Sequence, residues 1–273
     1  MKAVGVIPAR YASSRFPGKP LTDLLGRPLI QHVYERARKS KTLERVVVAT
    51  DDLRIRDVVA SFGGEVHLTG VGHPSGTDRV AEVAASLSCE LVVNIQGDEP
   101  LIEPAMIDEA VAPFFVESDL VMGTLCRRLE AEEEWQSPHV VKVVRDRRGC
   151  ALYFSRAPIP YGRVEGSGLR VQGGEREPGR AEDWTSDTGL RTAWYKHIGL
   201  YVYRRDFLLQ LARLAPTPLE EMEQLEQLRA LEYGYPIRVV ETQYDTVGVD
   251  TPADLEEVER ILRGLGPGVR VDR

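Results

Sequence analysis

The feature that most restricts the fold of this chain is a regular alternation of apolar runs with helical patterns in its first half. Three runs, Ala3 to Ile7, Val46 to Ala49 and Leu91 to Ile95, are apolar at successive positions, as in strands buried on both faces. Four sets of apolar residues at helical spacing follow or separate them, near Leu29 to Ala37, Ile55 to Phe62, Val80 to Leu87 and Ile107 to Phe114. This order predicts a three-layer α/β fold with a mostly parallel, Rossmann-like sheet.

The second half of the chain lacks this alternation. The runs Val140 to Val144 and Ala151 to Ser155 flank a turn sequence at 146–149, which predicts a β-hairpin. The segment 161–192 is rich in Gly, Arg and Glu and has almost no periodicity, so we expect a mobile insertion there. A strand is expected at Ile198 to Tyr203, and two helical stretches follow it.

The later helices are marked by their ends. One helix is predicted over Pro218 to Tyr233, with Gly234 as its C-cap. In the last helix, Thr251 is a suitable N-cap and Pro252 takes the favoured first position.

Length and composition restrict the class of protein. At 273 residues and 42% hydrophobic content the chain suits one domain, which we divide approximately into a core (1–125 and 236–273) and a smaller lobe (126–235). The net charge of −7 argues against nucleic-acid binding. The three cysteines form no C-x-x-C pair and no apolar run could span a bilayer. We therefore expect a cytoplasmic protein without a disulfide framework, a zinc site or a membrane span.

The segment Pro8 to Pro20 follows the first predicted strand, at the edge where open α/β sheets bind ligands. It carries three cations, Arg10, Arg15 and Lys19, among small residues whose backbone amides can approach phosphate oxygens. Three positive charges suit a triphosphate, which carries about four negative charges. The alternative is a solvated basic turn, because runs of charge are usually at the surface. The position after the first strand favours nucleotide binding.

Two aspartates lie at predicted strand ends. Asp98 follows the run that ends at Ile95, and Asp250 precedes the last helix. Mg²⁺ takes one or two carboxylates and completes its octahedron with water and phosphate oxygens, so this pair beside the basic loop predicts a magnesium site. Each aspartate alone is better explained as a turn or capping residue. Glu99 is a weaker candidate, because alternation turns it away from the face of Asp98.

Seven short motifs occur in one order along nearly the whole chain. They begin at Ile7, His73, Asn94, Ala151, Lys196, Leu225 and Gly248, and read IPARYASSRFPGKPL, HPSGTDR, NIQGDEP, ALYFSR, KHIGLY, LEQLR and GVDTP. Together they resemble the 3-deoxy-manno-octulosonate (KDO) cytidylyltransferase family, also called CMP-KDO synthetases. A single motif of this kind is weak, whereas seven in order are specific.

The resemblance implies a nucleotidyltransferase sheet and one reaction, the magnesium-dependent transfer of CMP from CTP to the anomeric hydroxyl of KDO with release of pyrophosphate. It also implies a cytoplasmic homodimer that supplies activated sugar for lipopolysaccharide, with sugar binding and dimerisation in the smaller lobe. The expected partners are therefore CTP and KDO, with no nucleic acid and no membrane.

The resemblance further implies a role for each matching residue. The triphosphate would be held by Arg10, Arg15 and Lys19, and magnesium by Asp98 and Asp250. The nucleotide side would also include Ser75, Gly76, Arg79, the backbone of Ala9 at the base edge, and Gln96 between the substrates. The sugar pocket would be lined by Arg156, His197, Tyr201, Glu226 and Gln227. Lys19, Asp98 and Arg10 are the expected catalytic residues, with the metal rather than a histidine activating the attacking hydroxyl.

The residues themselves leave alternatives open on the sugar side. His197 also fits a core histidine, and Tyr201 also fits strand packing. Glu226 and Gln227 also fit a solvated helix face, because Leu225 and Leu228 mark the buried one. Arg156 has the best chemical match, since an arginine fork pairs with the carboxylate of KDO. Three histidines match no motif and are expected to be structural or exposed: His32, His67 and His139.

Three other functions fit part of the pattern. A cytidylyltransferase for the 8-amino analogue of KDO or a sialic-type acid would differ by few pocket contacts. A nucleotide-sugar glycosyltransferase usually has Asp-x-Asp, where this chain has Gln96-Gly-Asp98. A non-catalytic nucleotide-binding protein would not need the full set of Arg10, Lys19, Asp98 and Asp250. The segment 161–192 is longer and more polar than the resemblance implies.

Overall fold

The computed structural model describes residues 1–12, 16–161 and 194–264, so Arg15 and all but the first residue of the predicted insertion lie outside the described residues. The strands are β1 (Ala3–Ala9), β2 (Asp23–Leu24), β3 (Arg27–Pro28), β4 (Leu43–Thr50), β5 (Glu65–Leu68), β6 (Leu91–Asn94), β7 (Met122–Arg128), β8 (Lys142–Arg145), β9 (Ala151–Ser155), β10 (Tyr195–Arg204) and β11 (Ile237–Glu241). The α-helices are α1 (Leu29–Ala37), α2 (Leu53–Ser61), α3 (Gly76–Ser86), α4 (Pro104–Val111), α5 (Glu132–Gln136), α6 (Arg205–Leu211), α7 (Pro218–Glu223), α8 (Gln227–Glu232) and α9 (Pro252–Leu262).

Nine of these strands form one sheet. Seven lie side by side in the order β11-β7-β10-β6-β1-β4-β5, while β8 pairs with β10 and β9. Strand β1 is parallel to both β4 and β6, β4 is parallel to β5, and β11 is parallel to β7. Strand β10 runs antiparallel to β6 and β7. The predicted α/β fold with a mostly parallel sheet is confirmed.

The central strand β1 shows why its residues are apolar at successive positions. Ile7 packs in the apolar cluster that contains α1, whereas Val4 and Val6 pack in the cluster that contains α3. All three are at most 2% exposed. Each fully buried side chain of this kind contributes about 1.5–3 kcal/mol. Helices therefore cover both faces of the sheet, as the three-layer prediction required.

Several local predictions are confirmed. Strands β8 and β9 form the expected antiparallel hairpin. Thr251 caps α9 in a capping box with Asp254. Gly234 has the φ of 82° expected of a residue just after a helix. The longest helices of the described residues have 11 residues, and none of these helices is long and apolar enough to cross a membrane.

The single helix predicted over Pro218 to Tyr233 is wrong, because the chain forms two helices there. Gln224 has a φ of 54°, and its amide donates to the carbonyl of Glu220, which ends α7. The chain then turns before α8 begins. This break brings Glu226 and Gln227 to the start of a new helix beside the cleft described below.

The division into a core and a smaller lobe stays an interpretation. Strand β10, which lies within the predicted smaller lobe, pairs directly with β6 of the predicted core. The two parts thus share one sheet.

Candidate active site

A cleft of about 550 Å³ opens at the carboxyl ends of β1 and β6, where Pro8 and Asn94 line it. It brings together eight of the predicted site residues: Gly76, Gln96, Arg156, His197, Tyr201, Glu226, Gln227 and Asp250. Among the described residues, six others do not line it: Ala9, Arg10, Lys19, Ser75, Arg79 and Asp98. Lys19 and Asp98 nevertheless adjoin the cleft, because Lys19 pairs both with Asp98 and with Asp250, which lines it.

The basic loop closes on itself just after β1. The amide of Gly18 donates to the carbonyl of Tyr11 at 2.9 Å. Gly18 has a φ of 74°, and a Cβ there would lie 3.2 Å from the Tyr11 ring, so a larger residue at this position would be strained. The guanidinium carbon of Arg54 lies 3.3 Å from the centre of the Tyr11 ring, in a cation–π contact that covers the ring. Arg10 donates to the carbonyl of His73 at 2.9 Å, which ties the loop to the segment before α3.

The ammonium of Lys19 bridges the two predicted metal-binding aspartates. Its Nζ lies 2.7 Å from Oδ2 of Asp98 and 3.2 Å from Oδ1 of Asp250. The loops that carry the two aspartates are also joined directly, because the amide of Val249 donates to the carbonyl of Asp98 at 2.9 Å. Asp250 itself precedes α9, where its amide donates to Asp254. The basic loop and both carboxylates thus form one charged group.

The donor chemistry of this group fits a divalent cation. Carboxylate oxygens of Asp98 and Asp250 converge on one positive group, and hard oxygen ligands are those that Mg²⁺ prefers. Two carboxylates and one ammonium carry a formal charge of −1 (one positive and two negative), which attracts a further cation. Among the residues that the structure describes there is no cluster of three or more His, Cys, Asp or Glu suited to a metal. Mg²⁺ often needs fewer, because water and phosphate supply its other ligands.

The residues expected near the cytidine lie around the start of α3. Ser75 is the N-cap of this helix, and its hydroxyl accepts from the amide of Asp78. Gly76 lines the cleft. Arg79 is 1% exposed, pairs with Asp51 at 3.1 Å and bonds Thr69. The structure therefore places Arg79 behind the cleft, where it joins α3 to the segments after β4 and β5.

Gly97 allows the loop after β6 to pass close to β1. A Cβ at this position would lie 2.8 Å from the carbonyl oxygen of Pro8 and 3.3 Å from Ile7. Gln96 and Asp98 are the two neighbours of Gly97 in this loop. Gln96 then donates through Nε2 to the carbonyl of Gly199 at 2.8 Å, where the pairing of β10 with β7 shifts register.

Arg156, at the end of β9, is held at several of its atoms. Its Nε donates to the carbonyl of Glu223 at 2.9 Å, and its Nη1 donates to the carbonyl of Pro138 at 3.1 Å. Its backbone amide donates to the Glu223 carboxylate at 2.9 Å. The Nε–H and one N–H of Nη1 are thus engaged, which leaves Nη2 and the second N–H of Nη1 to form a two-pronged contact with a carboxylate.

His197 and Tyr201 lie side by side on β10 at the cleft. The His197 ring packs edge-on against Phe154, and its Nε2 lies 3.0 Å from the hydroxyl of Thr124. Burial lowers the pKa of His197 to about 3, so the ring is neutral near pH 7. Burial raises the pKa of Tyr201, so its phenol stays protonated. The cleft therefore presents neutral hydrogen-bonding groups at these positions.

Glu226 and Gln227 differ in their surroundings. Gln227 is 4% exposed, and its buried Nε2 has no hydrogen-bond partner within the described part of the chain. A solvated helix face is therefore wrong for Gln227. Glu226 is exposed, and it accepts a hydrogen bond of 2.6 Å from Thr77 on α3. This bond crosses between the nucleotide side and the sugar side.

Sequence reasoning missed several residues that line the cleft. Glu99 lines it, because residues 96–99 form a turn (Glu99 amide to Gln96 carbonyl, 3.4 Å) in which strand alternation does not apply. Burial and the adjacent Asp98 carboxylate raise the pKa of Glu99 to about 8. Lys196 also lines the cleft and pairs with Asp245 at 2.5 Å; its place in the KHIGLY motif was the available signal. His139 lines the cleft although it matches no motif.

Comparison with known proteins agrees with this geometry. The family model described as cytidylyltransferase matches residues 4–242. The chain is 54% identical to the 3-deoxy-manno-octulosonate cytidylyltransferase of Geobacter metallireducens over 96% of its own length and 99% of that protein. It is 56% identical to the protein of the same name from Syntrophotalea carbinolica, over 97% and 100% of the two chains.

A solved structure is similar over the same extent. It is described as CMP:2-keto-3-deoxy-manno-octonic acid synthetase complexed with CTP, and it superposes with a TM-score of 0.84 at 41% identity. The match covers 97% of this chain and 99% of that one.

Proposed function

Because the chain belongs to the 3-deoxy-manno-octulosonate cytidylyltransferase family, we propose that its cleft transfers CMP from CTP to the anomeric hydroxyl of KDO. The hydroxyl attacks the α-phosphorus in line, its bond to phosphorus forms as the bond to pyrophosphate breaks, and CMP-KDO and pyrophosphate leave. Phosphoryl transfers of this type need little covalent chemistry from the protein. The protein acts by positioning the reactants and neutralising charge, and proximity alone can supply about 7–11 kcal/mol.

On the nucleotide side, we assign the triphosphate to Arg10, Arg15 and Lys19. The hydrogen bond from the Gly18 amide to the Tyr11 carbonyl supports this assignment for Arg10 and Lys19, because it holds the two ends of the loop together at the carboxyl end of β1. Ser75 and Gly76 at the start of α3 and the backbone of Ala9 form the cytidine side, while Arg79 supports α3 from behind.

We assign magnesium to Asp98 and Asp250. Bound there, it would supply a Lewis acid that polarises the α-phosphate and lowers the pKa of the attacking hydroxyl. The chain's own contribution is Lys19, whose ammonium neutralises charge that develops on the phosphates. The contact of the Lys19 ammonium with both aspartates supports the assignment of these three residues to one site.

On the sugar side, we assign binding to Arg156, His197, Tyr201, Glu226 and Gln227. His197 and Tyr201 offer neutral hydrogen-bonding groups, as sugar hydroxyls require. Arg156 supplies the positive charge for the sugar carboxylate. Gln96 lies between the two substrates, anchored on Gly199.

The observation that carries the proposal is the set of residues that line the cleft. It is lined by Asp250, which shares the ammonium of Lys19 with Asp98, and by Gln227, whose buried amide nitrogen lacks a partner in the described chain. A buried polar atom without a partner costs about 1–3 kcal/mol, which a polar ligand such as a sugar would recover.

The experiment is a pyrophosphate-release assay that crosses the common nucleoside triphosphates with KDO, its 8-amino analogue and sialic acid. We expect the highest kcat/KM for CTP with KDO, and CMP-KDO as the product by mass spectrometry. A higher kcat/KM with another acid would change the sugar. Nucleotide binding without pyrophosphate release from any pair would favour a non-catalytic protein.

We also propose a cytoplasmic homodimer, supported by the family resemblance. Analytical ultracentrifugation of the full chain should give a concentration-independent mass of two chains, and fractionation of the producing cells should place it in the cytoplasm. A monomer at all concentrations would contradict the first part, and recovery with membranes the second.

A further inference from the structure

Lys142 on β8 is a fully buried lysine, with 0% of the residue exposed. Its Nζ donates to three main-chain carbonyls: Ser137 at 2.7 Å, Val140 at 2.6 Å and Arg156 at 2.6 Å. An ammonium has three N–H donors, so all three are satisfied. Among the described residues it forms no ion pair within 4.0 Å, and the carboxylate that acts on its pKa is that of Glu223, which raises it.

All three carbonyls belong to segments that border the cleft. Ser137 and Val140 bracket the loop that carries His139, and His139 and Val140 line the cleft. The third carbonyl is that of Arg156 itself, which lines the cleft from β9. Arg156 returns to the same loop, because its Nη1 donates to the carbonyl of Pro138. Lys142 therefore sits behind the point where the loop and Arg156 meet.

Electrostatics makes this arrangement unusual for a purely structural residue. Burying a charged ammonium costs several kcal/mol unless its hydrogen bonds are complete. Three carbonyl oxygens that point at one place repel each other, and a cation at that place holds them together. Burial lowers the pKa of Lys142, so each of the three short contacts matters to its charged form. A methionine of similar length would fill the space without this cost.

We propose that Lys142 is a positioning residue for the acidic sugar, which acts by fixing the backbone of Arg156 and the loop 137–140 around the sugar end of the cleft. Glu223 holds Arg156 from the opposite side through its amide and Nε. Lys142 and Glu223 together set where the guanidinium points. This inference rests on the proposed function and adds a residue that does not itself touch the substrates.

The first test compares Lys142→Met with the exposed-lysine control Lys39→Met. In Lys142→Met we expect the KM for KDO to rise about tenfold or more, since one charge-assisted contact is worth at least that factor. We expect the KM for CTP to stay within about twofold, because the hydrogen bonds of Lys142 to described residues all go to Ser137, Val140 and Arg156, away from the nucleotide side. Lys39→Met should match the wild type in both. Equal rises in both KM values, or no rise for KDO, would overturn the proposal.

The second test asks whether Lys142 acts through Arg156. In an Arg156→Ala background, Lys142→Met should raise the KM for KDO by less than about twofold further, because the group that it positions is gone. Fully additive effects would assign Lys142 a role in general stability instead.

A third test remains decisive if Lys142→Met folds poorly. Lys142→Ala should recover KDO affinity when ethylammonium is added, because this ion can donate to the three carbonyls. Tetramethylammonium, which has no N–H donor, should have no effect. Equal effects of the two ions, or none, would overturn the proposal.

The failure of the inference and the failure of the proposed function are distinguishable. Wild-type protein that releases no pyrophosphate from CTP and KDO overturns the proposed function. Calorimetric titration of the acidic sugars into wild type and Lys142→Met then measures the same positioning without turnover. Identical sugar affinities for the two proteins would overturn the role of Lys142.

Discussion

The Nζ of Lys19 lies 2.7 Å from Oδ2 of Asp98 and 3.2 Å from Oδ1 of Asp250, which are 79 and 231 residues further along the chain. One ammonium thus joins the basic loop to both candidate metal ligands. In this arrangement the residue that would neutralise the triphosphate also holds together two carboxylates that would otherwise repel each other. We expect the charge balance at this point to affect both substrate binding and the stability of the site.

The Asp98→Asn variant tests the metal assignment. We expect kcat to fall by about 100- to 1,000-fold or more, because a neutral amide holds Mg²⁺ poorly. CTP should still bind, since the basic loop is intact. Pyrophosphate release and calorimetric CTP titration measure the two effects. Asp206→Asn, whose side chain is 94% exposed, is the control and should behave as wild type. Near-normal turnover of Asp98→Asn would remove Asp98 from the mechanism.

The Lys19→Met variant tests whether a metal ion binds at the position between Asp98 and Asp250 that the Lys19 ammonium occupies. Without the ammonium, Asp98 and Asp250 repel each other, so we expect a lower melting temperature without metal. Added Mg²⁺ should raise the melting temperature of the variant more than that of wild type. Binding at 100 times Kd stabilises by about 2.7 kcal/mol. Lys39→Met, an exposed lysine, should respond as wild type does. The same magnesium response in Lys19→Met and wild type would contradict the idea.

The Gly97→Ala variant tests the close approach of the two strand ends. Its Cβ would lie 2.8 Å from the Pro8 carbonyl oxygen, so one of the loops must shift. We expect a loss of about 1–3 kcal/mol in the free energy of unfolding, measured by urea denaturation, together with reduced turnover. Gly72→Ala is a matched control, because a Cβ there meets nothing within 4 Å. Similar stabilities for the two variants would show that the loop yields easily.

The stability of the protein should depend on pH through His197. Its folded pKa is lowered to about 3 by burial, so between that value and the unfolded value of about 6.5 the unfolded chain binds more protons. The stabilising contribution of neutral His197 is complete above about pH 6.5 and is lost as the pH falls towards 3. The slope approaches about 1.4 kcal/mol per pH unit.

The measurement is the free energy of unfolding of wild type and His197→Asn from pH 7 to pH 4. We expect the difference between them to shrink as the pH falls, because asparagine takes up no proton. His139→Gln, an exposed histidine beside the same cleft, is the control and should keep the wild-type slope. Parallel curves for wild type and His197→Asn would show that His197 is not protected from protonation.

Much of the fold was predictable because the signals are local. The strands β1, β4 and β6 follow from unbroken apolar runs, and α9 follows from Thr251 and Pro252 at its start. The break at Gln224 was not predictable in this way, since the apolar positions of α7 and α8 suit one continuous helix. There the helix ends because Gln224 adopts the left-handed backbone conformation. Since Gln224 is not a glycine, the sequence gives no local signal for this turn.

The candidate site was predictable to the extent that its residues belong to motifs. Asp98, Asp250 and Gln227 carry such signals, whereas His139 matches no motif and became visible in the folded chain. Glu99 lies in a motif, but strand alternation wrongly turned it away from the site. Arg79 shows the opposite case, because a residue within a motif lies behind the cleft, paired with Asp51. A motif specifies which residues are present, and it does not specify the direction in which each side chain points.

The amino-acid sequence by itself determined the α/β class, the places of the central strands and the family. These depend on apolar periodicity, capping residues and motif order, all of which act over short stretches of chain. The tertiary structure decided which charges meet: Lys19 with Asp98 and Asp250, and Lys142 with three carbonyls that include that of Arg156. Such contacts join residues far apart in sequence, and they exist because the packing of the sheet and its helices brings particular loops to one edge.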